Sequence, residues 1–172
     1  MVFFKKRVSD PLEELRKEAS GTMRIESIFK HGERIPDKYT CDGEDISPPI
    51  RISGVPEKTV ELVLIMYDPD APIGTFYHWL LYSIPPEIAE IPEGVPRDKV
   101  TAYGVQGIND FGDYGYGGPC PPHGHGTHRY FFVVVALSER TELEPGADID
   151  SLMDRIRGKT LSYGVLMGTY SR

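Results

Sequence analysis

The sequence predicts a β-dominated fold, a β-sandwich or a close relative of one, with helices only at the periphery. Three observations carry this. Residues 60–67, 75–84 and 129–138 are apolar runs of strand length, rich in β-branched and aromatic side chains. The links between them are long and irregular, and the 172 residues include fifteen prolines and eighteen glycines, which favours turns. Only residues 9–19 and 147–157 carry a helical pattern. A chain of this length fits one domain with a sizeable core.

In residues 9–19, Asp10 is placed to cap a helix and Pro11 suits its first position. Glu13 and Glu14 lie near the positive end of the helix dipole. Leu12 and Leu15 make a narrow apolar face, as in a helix appended to a domain, and Gly21 stops it. Residues 22–30 alternate Met23 and Ile25 against Arg24 and Glu26, a strand pattern. Residues 31–49 are polar and turn-rich: Asp42-Gly43 signals a turn and Pro48-Pro49 forces extended backbone. Residues 50–53 form a short strand. Residues 60–67 are nearly all apolar, which predicts a central strand buried on both faces; it ends in Asp68-Pro-Asp-Ala-Pro72. The next strand, 75–84, carries His78 beside Trp79, the only tryptophan. A proline-rich connection at 85–98 leads to a short strand at 100–106 and an irregular loop at 107–118. After the strand at 129–138, the second helix has Asp148 and Asp150 near its start. Ile149, Leu152, Met153 and Ile156 form its apolar face, and Gly158 its stop. Residues 161–170 close the chain as a strand in which Gly164 and Gly168 suggest bends or close backbone approach.

Composition removes several functions. A formal net charge of −7 opposes nonspecific binding to nucleic acid. No apolar run reaches the roughly 18 residues that span a bilayer. In residues 1–7 the apolar part is short and its charges follow it, unlike a secretory signal, so the expected location is cytoplasmic. That compartment argues against a disulfide between Cys41 and Cys120, with thermophile proteins the recognised exception, and sequence leaves their pairing open.

The candidate chemistry gathers around residues 117–130, a loop with three prolines, Cys120, His123, His125 and His128 that runs straight into a strand. Such a shaped loop on a rigid strand holds binding groups in place. Side-chain alternation puts His128 and Tyr130 on one face. Asp68 and Asp70 end the central strand, and His78 lies in the next. Imidazoles and a phenol supply N–H and O–H donors suited to an anion such as phosphate. A carboxylate nearby repels phosphate unless it is protonated or is spent on orienting a histidine. Plainer readings also fit: Asp-Pro-Asp is a good turn, and His78 suits a satisfied interior histidine. A metal site at Cys120, His123, His125 and His128 is an alternative, although the glycines and prolines between them match no regular zinc pattern. A hydrolase is another, with His78 or His128 as base, Asp68 orienting it and Cys120 as nucleophile, although no nucleophile elbow is present.

Several blocks, in order, are similar to the signature of the phosphatidylethanolamine-binding protein family, in its bacterial and archaeal branch. They are Asp68-Pro-Asp-Ala-Pro72, His78-Trp79 with Leu-Leu-Tyr-Ser-Ile-Pro85 after it, Gly115-Tyr-Gly-Gly-Pro-Cys-Pro-Pro122 and Gly126-Thr-His-Arg-Tyr130. The stretch Cys41-Asp-Gly-Glu-Asp-Ile-Ser-Pro-Pro49, Asn109-Asp-Phe-Gly112 and Gly168-Thr-Tyr-Ser-Arg172 match as well. The resemblance covers about residues 22–172. It divides the chain into an N-terminal extension, 1–20, and a single domain, 21–172. It implies a sandwich of two antiparallel sheets with peripheral helices and a small pocket for phosphate or a phosphorylated head group. On matching positions the pocket residues are Asp68, Asp70, His78, Pro122, His128 and Tyr130, which leaves His123 and His125 outside the set. The resemblance also implies a non-enzymatic binding or regulatory protein without a cofactor, some members inhibiting protein kinases or serine proteases, and a homodimer. Eukaryotic members place a C-terminal helix beside the pocket; here Arg172 follows directly on the last strand, so a more open pocket is expected.

Overall fold

The computed structural model describes residues 7–172, so the reading of residues 1–7 as lacking a secretory signal falls, but for Arg7, outside the described residues. The described elements are α1 (Pro11–Glu18), β1 (Arg24–Glu26), β2 (Ile50–Ser53), β3 (Glu61–Asp68), β4 (Phe76–Ile84), β5 (Glu90–Ile91), β6 (Val100–Thr101), β7 (Gly104–Gln106), β8 (His128–Leu137), α2 (Ile149–Ile156) and β9 (Thr160–Tyr170). They form two antiparallel sheets, in strand order β1-β2-β5 and β6-β7-β4-β3-β8-β9. None of the helices in the described residues is long and apolar enough to cross a membrane.

The larger sheet is covered on both faces, which is why its central strand reads as a continuous apolar run. On one face Leu62, Leu64, Met66 and Trp79 pack against Ile25, Ile50, Ile52 and Ile91 of the smaller sheet. On the other, Val63, Ile65, Tyr67 and Leu80 pack against Leu12 and Leu15 of α1 and the apolar face of α2. Both helices are capped, the first by Asp10 as the sequence predicts. The Asp10 side chain accepts from the Glu13 amide at 3.3 Å, and that of Asp148 from the Ser151 amide at 2.8 Å. Gly164 lets β1 approach β9 closely: a Cβ there would lie 2.6 Å from the carbonyl oxygen of Met23.

Two strands are shorter than their sequence patterns. Of residues 22–30, only Arg24–Glu26 pairs, because Ser27 turns its hydroxyl to the Pro49 carbonyl at 2.6 Å and the chain then bends. Residues 100–106 split into β6 and β7, which fold back on one another.

The cysteines correct the expectation drawn from compartment. Cys41 and Cys120 form a disulfide across a sequence separation of 79, with Cα atoms 5.4 Å apart. The surrounding backbone brings them together: the Cys41 amide donates to the Pro119 carbonyl at 3.1 Å, the Gly118 amide to Asp45 at 2.8 Å, and the Tyr116 hydroxyl to the Tyr39 carbonyl at 2.6 Å. Closing so long a loop lowers the entropy of the unfolded chain, so the paired variant Cys41→Ser/Cys120→Ser should lose about 2–4 kcal/mol of unfolding free energy. Denaturant titration of oxidised wild type against the variant measures this; superimposable curves would contradict it.

Candidate functional site

The site lies where β3 ends. The β3–β8 ladder runs without interruption from Glu61↔Leu137 to Tyr67↔Phe131. Alternation therefore carries Asp68, Tyr130 and His128 onto the face that also holds Met66 and Phe132, the face covered by the smaller sheet. On the other side of β3 the register slips by one residue: Met66 faces Trp79, but Tyr67 faces Tyr77. His78 is the residue left unopposed. Without this bulge it would alternate onto the helix-covered face; with it, His78 joins Asp68 and Tyr130.

A cavity of about 500 Å³ opens here, lined by Asp68, His78, Pro122, His128 and Tyr130. Five of the six residues read from the sequence are thus together. Asp70 does not line the cavity. Its carboxylate takes paired bonds from Arg129, at 2.9 Å from Nε and 2.8 Å from Nη2, which hold it below the usual carboxylate range.

Both oxygens of buried Asp68 are engaged: Oδ1 accepts from the Asp70 amide at 2.7 Å, and Oδ2 lies 2.6 Å from His128 Nδ1. Burial pushes this carboxyl above its ordinary value, against the opposing pull of His128. His128 Nε2 lies 2.6 Å from Nδ1 of His125. His125, which the sequence left outside the set, therefore extends a chain from buried carboxylate to surface imidazole. The remaining loop histidine, His123, is held by Arg172 Nη2 at 2.7 Å.

His78 is fixed by Gly117 twice. Its Nδ1 lies 2.7 Å from the Gly117 carbonyl oxygen, and its own carbonyl accepts from the Gly117 amide at 3.0 Å. A carbonyl only accepts, so Nδ1 carries the proton and Nε2 is left as an acceptor in the neutral ring. Burial lowers the His78 pKa from 6.5 to about 4, so the ring is neutral near pH 7. Tyr130, its ring 5.3 Å from that of His78, is held protonated by burial and by the charge of Asp68.

Among the residues of the cavity wall that sequence reading did not place there are Phe76, Phe111, Asp110 and Arg7. Phe76 and Phe111 pack on each other with ring centroids 4.7 Å apart and on His78 at 4.8 and 5.5 Å. Phe76 sits two residues before His78, so alternation alone could have found it. Asp110 and Arg7 form an ion pair at 2.5 Å, and nothing in the sequence links them. At Cys120, the disulfide consumes the sulfur that both the metal and the hydrolase readings required. Among the described residues, no group of three or more His, Cys, Asp or Glu is placed to hold a metal.

The family model described as phosphatidylethanolamine-binding protein matches residues 25–171. A UPF0098 protein of Aquifex aeolicus is 54% identical over 145 residues, covering 84% of this chain and 85% of its own. A UPF0098 protein of Pyrococcus horikoshii is 48% identical over 155 residues, 88% of this chain and 77% of its own. The crystal structure of a phosphatidylethanolamine-binding protein homolog from Chlamydia trachomatis superposes with a TM-score of 0.81 at 37% identity, covering 89% of this chain and 99% of that one.

The low pKa of His78 makes folding pH-dependent. The folded state favours the neutral ring, so this stabilisation is complete above pH 6.5 and is lost as pH falls towards 4. It amounts to roughly 3 kcal/mol. Unfolding free energies of wild type and His78→Gln should therefore converge by about this amount between pH 7 and pH 4, and a pH-independent difference would contradict a buried neutral imidazole.

Proposed function

The chain belongs to the phosphatidylethanolamine-binding protein family, and from that premise we propose that it is a non-enzymatic binding protein whose cavity takes a phosphate group, free or as a phosphorylated head group. The observation that carries this reading is the convergence of Asp68, His78, His128 and Tyr130 on one cavity at the end of β3.

The donors and acceptors suit a phosphate that still carries a proton. The Tyr130 hydroxyl can donate to a phosphate oxygen. Nε2 of neutral His78 can accept from a phosphate hydroxyl, which a fully ionised phosphate does not have. Asp68 would repel an anion if its charge stood free, but both its oxygens are occupied and burial favours its neutral form. Pro122, without an N–H of its own, completes the wall as a rigid, apolar surface.

Two observations support binding over turnover. The ring nitrogens of His128 meet a carboxylate and another imidazole, with no hydroxyl or thiol nucleophile between them. The Cys120 sulfur is in the disulfide.

Titration with inorganic phosphate should shift the ring NMR signals of His78 and His128 saturably. Tyr130→Phe, which removes one hydrogen bond to a charged ligand, should weaken binding roughly 10–100-fold. Unmoved signals at millimolar phosphate, with the protein folded, would reject the site. Turnover of phosphate esters that survives Cys120→Ser but not His128→Ala would replace binding by catalysis.

A further inference from the structure

The cavity poses a charge problem. Its described lining includes the carboxylates of Asp68 and Asp110, and Arg7 is its one lysine or arginine. His78 adds no charge near neutral pH, because burial keeps it neutral. The floor can hydrogen-bond an anion but supplies no permanent cation to balance it. Arg7 lies well before the family-matched residues 25–171, so this cation is an addition of the N-terminal extension.

The backbone beside Arg7 is tied down by three hydrogen bonds, one of them from the cavity-lining Thr75. The Val8 amide donates to Asp150 at 3.0 Å, the Tyr77 hydroxyl donates to the Val8 carbonyl at 2.6 Å, and the Thr75 hydroxyl to the Ser9 carbonyl at 2.6 Å. The guanidinium lies 5.0 Å over the Tyr77 ring, and the side chain is half-exposed. Asp110 does not depend on Arg7 for its place: its Oδ2 accepts from the Tyr77 amide at 2.8 Å, and its own amide donates to the Tyr77 carbonyl at 2.9 Å. Arg7 reaches both Asp110 oxygens through the single nitrogen Nη2, at 2.5 and 2.7 Å. The two-nitrogen fork that binds phosphate side-on is therefore not what the carboxylate holds. A half-exposed ion pair of this kind contributes little to stability, so exchanging its carboxylate for a phosphate costs little.

We propose that Arg7 is a ligand-contacting residue of the cavity: its guanidinium turns from Asp110 to the bound phosphate group and supplies the positive charge that the floor lacks. This rests on the phosphate reading above. Asp110 then acts as a competing anion that keeps Arg7 at the rim while the cavity is empty.

Isothermal titration of the full chain with inorganic phosphate at low ionic strength tests this. Arg7→Gln should weaken binding about tenfold, as the loss of one charge-assisted contact does. Arg7→Lys should restore most of the affinity, and the salt dependence should become shallower in Arg7→Gln alone. Asp110→Asn keeps the acceptor for the Tyr77 amide and should tighten binding several-fold, but only where Arg7 is present. If Arg7→Gln and wild type bind equally, the pair is a structural tether and the inference fails while the phosphate reading stands. If Asp110→Asn tightens binding equally in the Arg7→Gln background, Asp110 acts through its own charge and the exchange is wrong. If wild type does not bind phosphate, both readings fall.

Discussion

The shape of the cavity depends on one bulged residue, His78. The six-stranded sheet is covered on both faces, so every residue of its central strands is committed to one apolar layer or the other. In such a sheet a one-residue slip would move an entire hydrophobic set to the wrong layer. The bulge at His78, one of two register shifts between β3 and β4, takes up such a slip locally. On one side of it Trp79 fills the layer between the sheets; on the other Tyr77 fills the layer under the helices. The imidazole between them is free to face the cavity, and the ladder on either side retains its pairing.

The second requirement is that the loop carrying the other half of the site arrive in register. β8 brings Tyr130 and His128 by pairing with β3 over Tyr67↔Phe131 and its neighbours. The segment before β8 has no ladder to place it. It is held instead by unlike contacts, among them Gly117 bonded to both the backbone and the ring of His78, Gly118 to Asp45, and Cys120 to Cys41. Proline removes backbone freedom from the rest. A loop so anchored can present Pro122 as a wall because little of its conformational entropy remains to be lost on binding.

Much of this was legible in the residues. The apolar run of β3 revealed a strand buried on both faces, and its Asp-rich end pointed to the place where the cavity opens, because burial patterns and turn chemistry are local properties. The helix cap at Asp10 was legible for the same reason. That Asp68 could orient a histidine was legible, but not which one: His78 and His128 both fitted, and the structure pairs it with His128. Three features were not legible. The bulge depends on which neighbour β4 has on each side, which no local pattern reveals. The disulfide depends on two distant turns meeting, and an argument from compartment has no access to that geometry. Arg7 reaches the cavity only because residues 8 and 9 are bound to Tyr77, Thr75 and Asp150, contacts made across most of the chain. Asp70 shows the converse: its place in the motif suggested the cavity, and a bidentate arginine one strand away draws it aside.

These placements answer an objection that the composition raises. A net charge of −7 and carboxylates around the cavity would, by charge alone, repel an anion. Net charge acts at a distance, and at physiological ionic strength its reach falls off over about 8 Å. What an anion meets at contact is the state of each neighbouring group. Asp68 is bound at both oxygens and shifted towards neutrality, Asp70 is matched by Arg129, and Asp110 is bound by the Tyr77 amide and Arg7. Each carboxylate therefore works as an internal acceptor that positions a donor, and the burial that raises Asp68 also keeps His78 neutral. Burial thus sets the polarity of the site as well as its shape. It removes free negative charge from the floor, removes positive charge from the histidine, and leaves the balance to be struck at the rim.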